Sequence, residues 1–124
     1  MKEYICMADV EIEREKKKLS NFVDEATLEH KATIFKILGD LNRVKIVEIL
    51  SHYPQLCVNE IAQFIDASVA TTSHHLITLK NNGIIKSVKE GKHVIYMLDT
   101  DYVTSLFETV DLLRVQCPKM KAAK

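Results

Sequence analysis

Residues Val58–Ile65 and Val69–Leu79 are two short runs with helical spacing, separated only by Asp66–Ala67–Ser68. In the first, Val58, Ile61, Ala62 and Ile65 fall on one face, and in the second Val69, Thr72, Leu76 and Leu79 do. Ser68 is placed to cap the second run, and Gly83 to stop it after Asn81–Asn82. Two short helices joined by so tight a turn form a helix-turn-helix. A hairpin follows directly. Ile84–Lys89 and His93–Leu98 alternate like strands, with Ile84, Lys86 and Val88 on one face of the first and Val94, Tyr96 and Leu98 on one face of the second. Glu90–Gly91 supplies the turn, which leaves Lys89, Lys92 and His93 at the tip.

The rest of the chain frames this unit. Residues 1–27 are charged, almost without interruption from Glu11 to Lys18, and read as a mobile arm or exposed helix. Leu28–Leu38 fits an amphipathic helix ended by Gly39. Asp40 or Asn42 then caps a helix whose face is Val44, Ile46, Val47, Ile49 and Leu50. Ser51–Gln55 is a loop, because Pro54 disfavours helix at Tyr53. A last helix, from about Thr100 to Gln116, carries Val103, Leu106, Phe107, Val110 and Leu113, with Arg114 beside the stripe. The expected fold is α+β: a winged helix-turn-helix of about five helices and a two-stranded β wing, with an extra N-terminal arm. The expected domains are the arm at 1–27, a DNA-binding and dimerisation domain at 28–117 and a tail at 118–124. Apolar stripes on the first and last of these helices exceed what one small core needs. A homodimer interface uses the surplus, whereas packing of the two helices on one another is the plainer alternative.

Composition narrows the function. The chain has 124 residues, 47% hydrophobic, and a formal charge of zero. The charge is unevenly spread, with a net of −3 over residues 1–30 and +2 over residues 66–98. No run of 18 apolar residues is present, so no membrane span is expected. The first twenty residues lack an apolar signal core, which argues for a cytoplasmic protein. The cysteines Cys6, Cys57 and Cys117 are too few and scattered for a disulfide scaffold, and no zinc-finger spacing occurs. A Gly-rich phosphate loop and His-Glu-x-x-His are both missing, so an enzyme is not expected.

In a helix-turn-helix the second helix enters the major groove by its N-terminus. Ala70, Thr71, Ser73 and His74 then lead, with His75 just behind. Hydroxyls and imidazoles can bond bases or phosphates, and the methyls of Ala70 and Thr71 can touch thymine. Lys80 late in the helix and Lys89, Lys92 and His93 on the wing suit the phosphate backbone. One short helix makes few base contacts, so a dimer on double-stranded DNA with a palindromic operator is expected. Against this stand a solvated helix with a packed or capping histidine, and a winged helix that binds protein.

The succession Leu56–Cys57–Val58–Asn59–Glu60–Ile61, Ser73–His74–His75–Leu76–Ile77–Thr78–Leu79, Gly83–Ile84–Ile85 and Glu90–Gly91–Lys92–His93–Val94–Ile95–Tyr96 resembles the arsenic- and metal-sensing bacterial repressors of ArsR–SmtB type. In outline it is most similar to the cadmium- and lead-sensing members. The resemblance runs from about Leu28 to Leu113. It implies a homodimeric repressor that holds operator DNA without effector and leaves it when metal binds, usually controlling efflux or sequestration genes. Many members place Cys–Val–Cys at the start of the helix before the reader; here the sequence is Cys57–Val58–Asn59. Cadmium- and lead-sensing relatives add arm cysteines, a role open to Cys6. A second family site, on the last helix, maps onto Thr100, Tyr102, Leu113 and Gln116, none a good ligand.

Cys57 near a helix N-terminus favours a thiolate, suited to Cd, Pb, Zn, Cu(I) or As(III). The effector is therefore expected to be a soft metal ion or metalloid bound by Cys57 and Cys6, with Cys117 either joining or packing in the dimer interface. A thiol switch for oxidants or reactive sulfur, which needs no metal, is the alternative.

Overall fold

The computed structural model describes residues 3–113. Its elements are α1 (Asp9–Leu19), α2 (Glu25–Ile37), α3 (Leu41–His52), α4 (Val58–Ile65), α5 (Val69–Asn81), β1 (Ile85–Glu90), β2 (His93–Leu98) and α6 (Asp101–Asp111). The arm thus adds a sixth helix to the five expected. The chain divides into two compact units, with the boundary between Lys36 and Ile37.

In the first unit, α1 buries no residue. Its stability is local: Asp9 and Glu11 occupy the first turn and Lys16–Lys18 the last, which suits the helix dipole. The pairs Glu13–Lys16 and Glu15–Lys18, both at 3.2 Å, are exposed and worth a few tenths of a kcal/mol each. Most of α2 is also exposed, Leu28 and Phe35 included.

The second unit has a closed core. Ile46, Val47 and Leu50 of α3 meet Ile61 and Ile65 of α4, Leu76 and Leu79 of α5, and Ile84 and Ile85 at the start of the wing. Each such side chain contributes about 1.5–3 kcal/mol on burial. α3 is the hub, packing against α4, α5, β2 and α6. Its N-cap is Asp40, whose Oδ1 accepts from the Arg43 N–H at 3.1 Å.

The turn between α4 and α5 is made by Asp66, in the left-handed region at φ 54°, ψ 47°. The Ala67 N–H returns to Ala62 O at 3.0 Å, so the backbone stays satisfied as the chain reverses. Ser68 caps α5, its Oγ accepting from the Thr71 N–H at 3.0 Å. Gly83, at φ +72°, ends the helix as the sequence predicts.

β1 and β2 pair antiparallel, with Ile85 opposite Leu98 and Glu90 opposite His93. That register moves the turn one residue along from the expected Glu90–Gly91. Gly91 and Lys92 are the two loop residues, and the positive φ of Gly91 (+60°) suits the first loop position, not the second alone. Leu56 adds a one-residue third rung, exchanging backbone bonds with Tyr96 at 3.2 and 2.8 Å. The segment before α4 is thereby tied to the wing. Among the described residues no helix is long and apolar enough to cross a membrane.

Candidate functional site

Helix α5 turns Thr72, His75, Leu76 and Leu79 inward. Ala70, Thr71, His74 and Lys80 are exposed on the other side, and Ser73 is half-buried at the margin. The Thr71 hydroxyl accepts from Ser68 Oγ at 3.0 Å, which leaves its own proton free to donate. Lys89, Lys92 and His93 are exposed along the wing, joined by Lys86. A surface of small hydroxyls, two imidazoles and flanking lysines can hydrogen-bond base edges and neutralise phosphates.

Two side chains lie elsewhere than the apolar pattern implies. Val69, expected inside, is 46% exposed at the first position of α5. His75, expected on the reading face, is only 8% exposed. Its Nδ1 accepts from Arg43 Nε at 3.2 Å, and Arg43 Nη1 also donates to Ile37 O at 3.3 Å. His75 Nδ1 is thus engaged within the protein, and little of its ring reaches the surface. Its spacing, three residues after Thr72 and four before Leu79, was the available clue. Arg43 had no comparable signal in the linear pattern.

This corner also sets a charge. The Arg43 N–H holds the Asp40 carboxyl below its ordinary range; partial burial opposes this, and the neighbouring His75 and Arg43 side chains reinforce it.

Cys57 is the N-cap of α4 and is partly exposed. Glu60 Oε1 accepts from the Cys57 N–H at 2.9 Å. That bond, with the adjoining thiol, holds the Glu60 carboxyl below its usual range, and the wing's His93 adds a smaller pull. Cys6 is free and exposed, ahead of α1 in the first unit. Cys117, Gln116 and Arg114 lie outside the described residues. Among the described residues no three His, Cys, Asp or Glu side chains are grouped to hold a metal ion. On the last helix, Thr100 is occupied as a cap, its Oγ1 accepting from the Tyr102 N–H at 3.2 Å.

Residues 40–87, which run from the cap of α3 to the middle of β1, match the model of the bacterial regulatory protein family arsR. The chain is 45% identical over 106 residues to the cadmium resistance transcriptional regulatory protein CadC of Listeria innocua, covering 86% of each chain. The chain belongs to the arsR family. Family members are DNA-binding transcriptional regulators, not enzymes. The arsenical resistance operon repressor of Staphylococcus xylosus is 26% identical over 98 residues, covering 75% of this chain and 93% of the relative. Among solved structures, the homodimeric winged helix-turn-helix DNA-binding domain Mb0332 of Mycobacterium bovis, a possible ArsR-family regulator, superposes with a TM-score of 0.65. It is 27% identical, covering 73% of this chain and 84% of that one. The winged helix-turn-helix inferred from the sequence is thus the family's fold.

Proposed function

We propose that this arsR-family regulator is a homodimeric repressor that reads a palindromic operator with α5 and the wing, and is released when a thiol-ligated soft metal ion or metalloid engages Cys57 and Cys6. The observation that carries the DNA-reading part is the exposure of Thr71 and His74, with Ala70, Ser73 and Lys80 around them, on a helix whose opposite side is fully committed to the core. Lys89, Lys92 and His93 add backbone contacts on the wing. The names of the relatives support the effector class: one is a cadmium resistance regulator, another an arsenical resistance repressor. The homodimeric structural neighbour supports the dimer.

The residues present fit such an effector in part. Cys57 offers a partly exposed sulfur donor at the start of α4, of the kind soft ions prefer. Asn59 stands where many family members have a second cysteine, so this reading assigns the second thiolate to Cys6; Cys117 remains a further candidate. When bound, the ion supplies a strong bond to sulfur. What the chain supplies is leverage. Cys57 begins α4, which braces α5, and it follows Leu56, whose backbone is bonded to Tyr96 of the wing. A pull on Cys57 therefore shifts the supports of reader and wing together, and a dimer with respaced readers has lower operator affinity.

A gel shift against the DNA upstream of the gene, with and without Cd(II), Zn(II), Cu(I) or As(III), tests the whole reading. Binding without effector and release by at least one ion is expected, with release abolished in Cys57→Ser and weakened in Cys6→Ser. Release by every ion at wild-type concentration in Cys57→Ser would remove that residue from the site, and no binding above non-specific levels would sink the repressor itself.

A further inference from the structure

Among the described residues, the Arg43–His75 bond is the one hydrogen bond between side chains of different elements. It joins the start of α3 to the middle of α5 across 32 positions of sequence. An arginine Nε–H only donates, so His75 Nδ1 must be the acceptor and the ring proton must sit on Nε2. The ring is nearly closed off from solvent, so water offers little replacement for a lost partner.

We propose that Arg43 and His75 are positioning residues for DNA reading: their bond seats α5 on α3 only while His75 is neutral, so acid unseats the reader. This rests on the proposal that α5 reads DNA. A proton added at Nδ1 turns the acceptor into a donor, leaving two donors and two positive charges face to face. The nearby Asp40 carboxylate attracts a charged ring and would offset part of the repulsion. His74 lies alongside on α5, with ring centroids 6.3 Å apart, and is exposed. The other charged groups on the elements packed against α5 are solvent-exposed: Lys45, Glu48 and His52 on α3, Glu60 on α4, and Lys86, Lys89 and Glu90 on β1.

The direction of the effect separates it from ordinary electrostatics. Added positive charge on a surface that faces DNA strengthens attraction to phosphate. Loss of the clamp works the other way.

The test measures operator affinity of the full chain by fluorescence anisotropy at fixed salt, at about pH 7.5 and about pH 5.5. His75→Asn puts a non-titrating amide oxygen near the position of Nδ1. It is expected to bind within about twofold of wild type at the higher pH, and wild type is expected to lose about tenfold more affinity than the variant at the lower. Nitrogen-15 shifts of the imidazole, read without DNA, provide the second measurement. They should show an unprotonated Nδ1 accepting a hydrogen bond near neutral pH, with that shift lost in Arg43→Met. Superimposable pH profiles for wild type and His75→Asn, or a protonated Nδ1 near neutral pH, would overturn the clamp while leaving DNA reading intact. Failure of wild type to bind the operator at any pH would overturn both. Should His75→Asn not fold, the nitrogen shifts of wild type and Arg43→Met still decide.

Discussion

Asp40 caps α3 and faces the Arg43–His75 corner, so a single carboxyl supports both the helix and its contact with the reader. Its folded-state value is lowered from the ordinary aspartate value. The stability it contributes is therefore complete above the unfolded value, near 4, and is lost as pH falls through the lower folded value. Asp40→Asn keeps a capping oxygen but cannot titrate. Denaturant melts from neutral to strongly acid pH should show a flatter acid decline in the variant, with near wild-type stability at neutral pH. An unchanged acid slope would mean that this group carries none of it. Asp66 makes a separate claim. Its φ of 54° is tolerable for Asp, whose short side chain suits the left-handed region, but not for a β-branched residue. Asp66→Val should cost about 1–2 kcal/mol in urea unfolding, whereas Asp66→Gly should cost nothing measurable. Equal losses in both would point to the side chain and not the backbone.

At the scale of elements, α4, α5 and their turn were legible because period, cap and stop agreed: Ile61, Ala62 and Ile65 on one side, then Ser68, then Gly83. What escaped was geometry that no local pattern encodes. The wing's turn slipped by one residue because register is set by which glycine position carries the positive φ, and both Glu90–Gly91 and Gly91–Lys92 are reasonable from sequence. His75 was placed on the reading face because a polar ring was expected to seek solvent. A guanidinium brought from α3 changed that, and such a partner is visible only once the helices pack. The motif residues from Leu56 to Tyr96 made the family legible, whereas Cys57 followed by Asn59 left any second thiol to be sought elsewhere in the chain. The wing now carries a quantitative expectation. Lys89→Ala and Lys92→Ala remove exposed charges, one near the end of β1 and one in the turn. Each should weaken binding to specific and random DNA alike and reduce the slope of log affinity against log salt by about one. A loss confined to the specific operator would mean that the wing reads sequence.

For the molecule as a whole, the question is what covers α6. Val103 and Phe107 pack against the core, yet no residue of this helix is fully buried in the single chain. At 100° per residue, Tyr102, Leu106 and Val110 fall within one stripe next to the Val103–Phe107 face, and Leu113 follows just past the end of the helix. Tyr102, Val110 and Leu113 are exposed, Tyr102 to 82%. An apolar stripe beside a docked face is what a second copy would cover, and the homodimeric structural neighbour uses the same fold. The proposed DNA reading also calls for two copies of α5, since Thr71, Ser73 and His74 of one copy would reach few bases. The double substitution Leu106→Glu with Val110→Glu puts like charges on this stripe but leaves Val103 and Phe107 in place. The chain should then sediment as a folded monomer with unchanged helical circular dichroism. Its operator affinity should fall by about a hundredfold or more, because the second half-site is no longer engaged by the same molecule. A variant that stays dimeric would move the interface off α6. A monomer that still binds the operator at wild-type affinity would mean that one copy of α5, seated by Arg43 and His75, reads enough sequence alone.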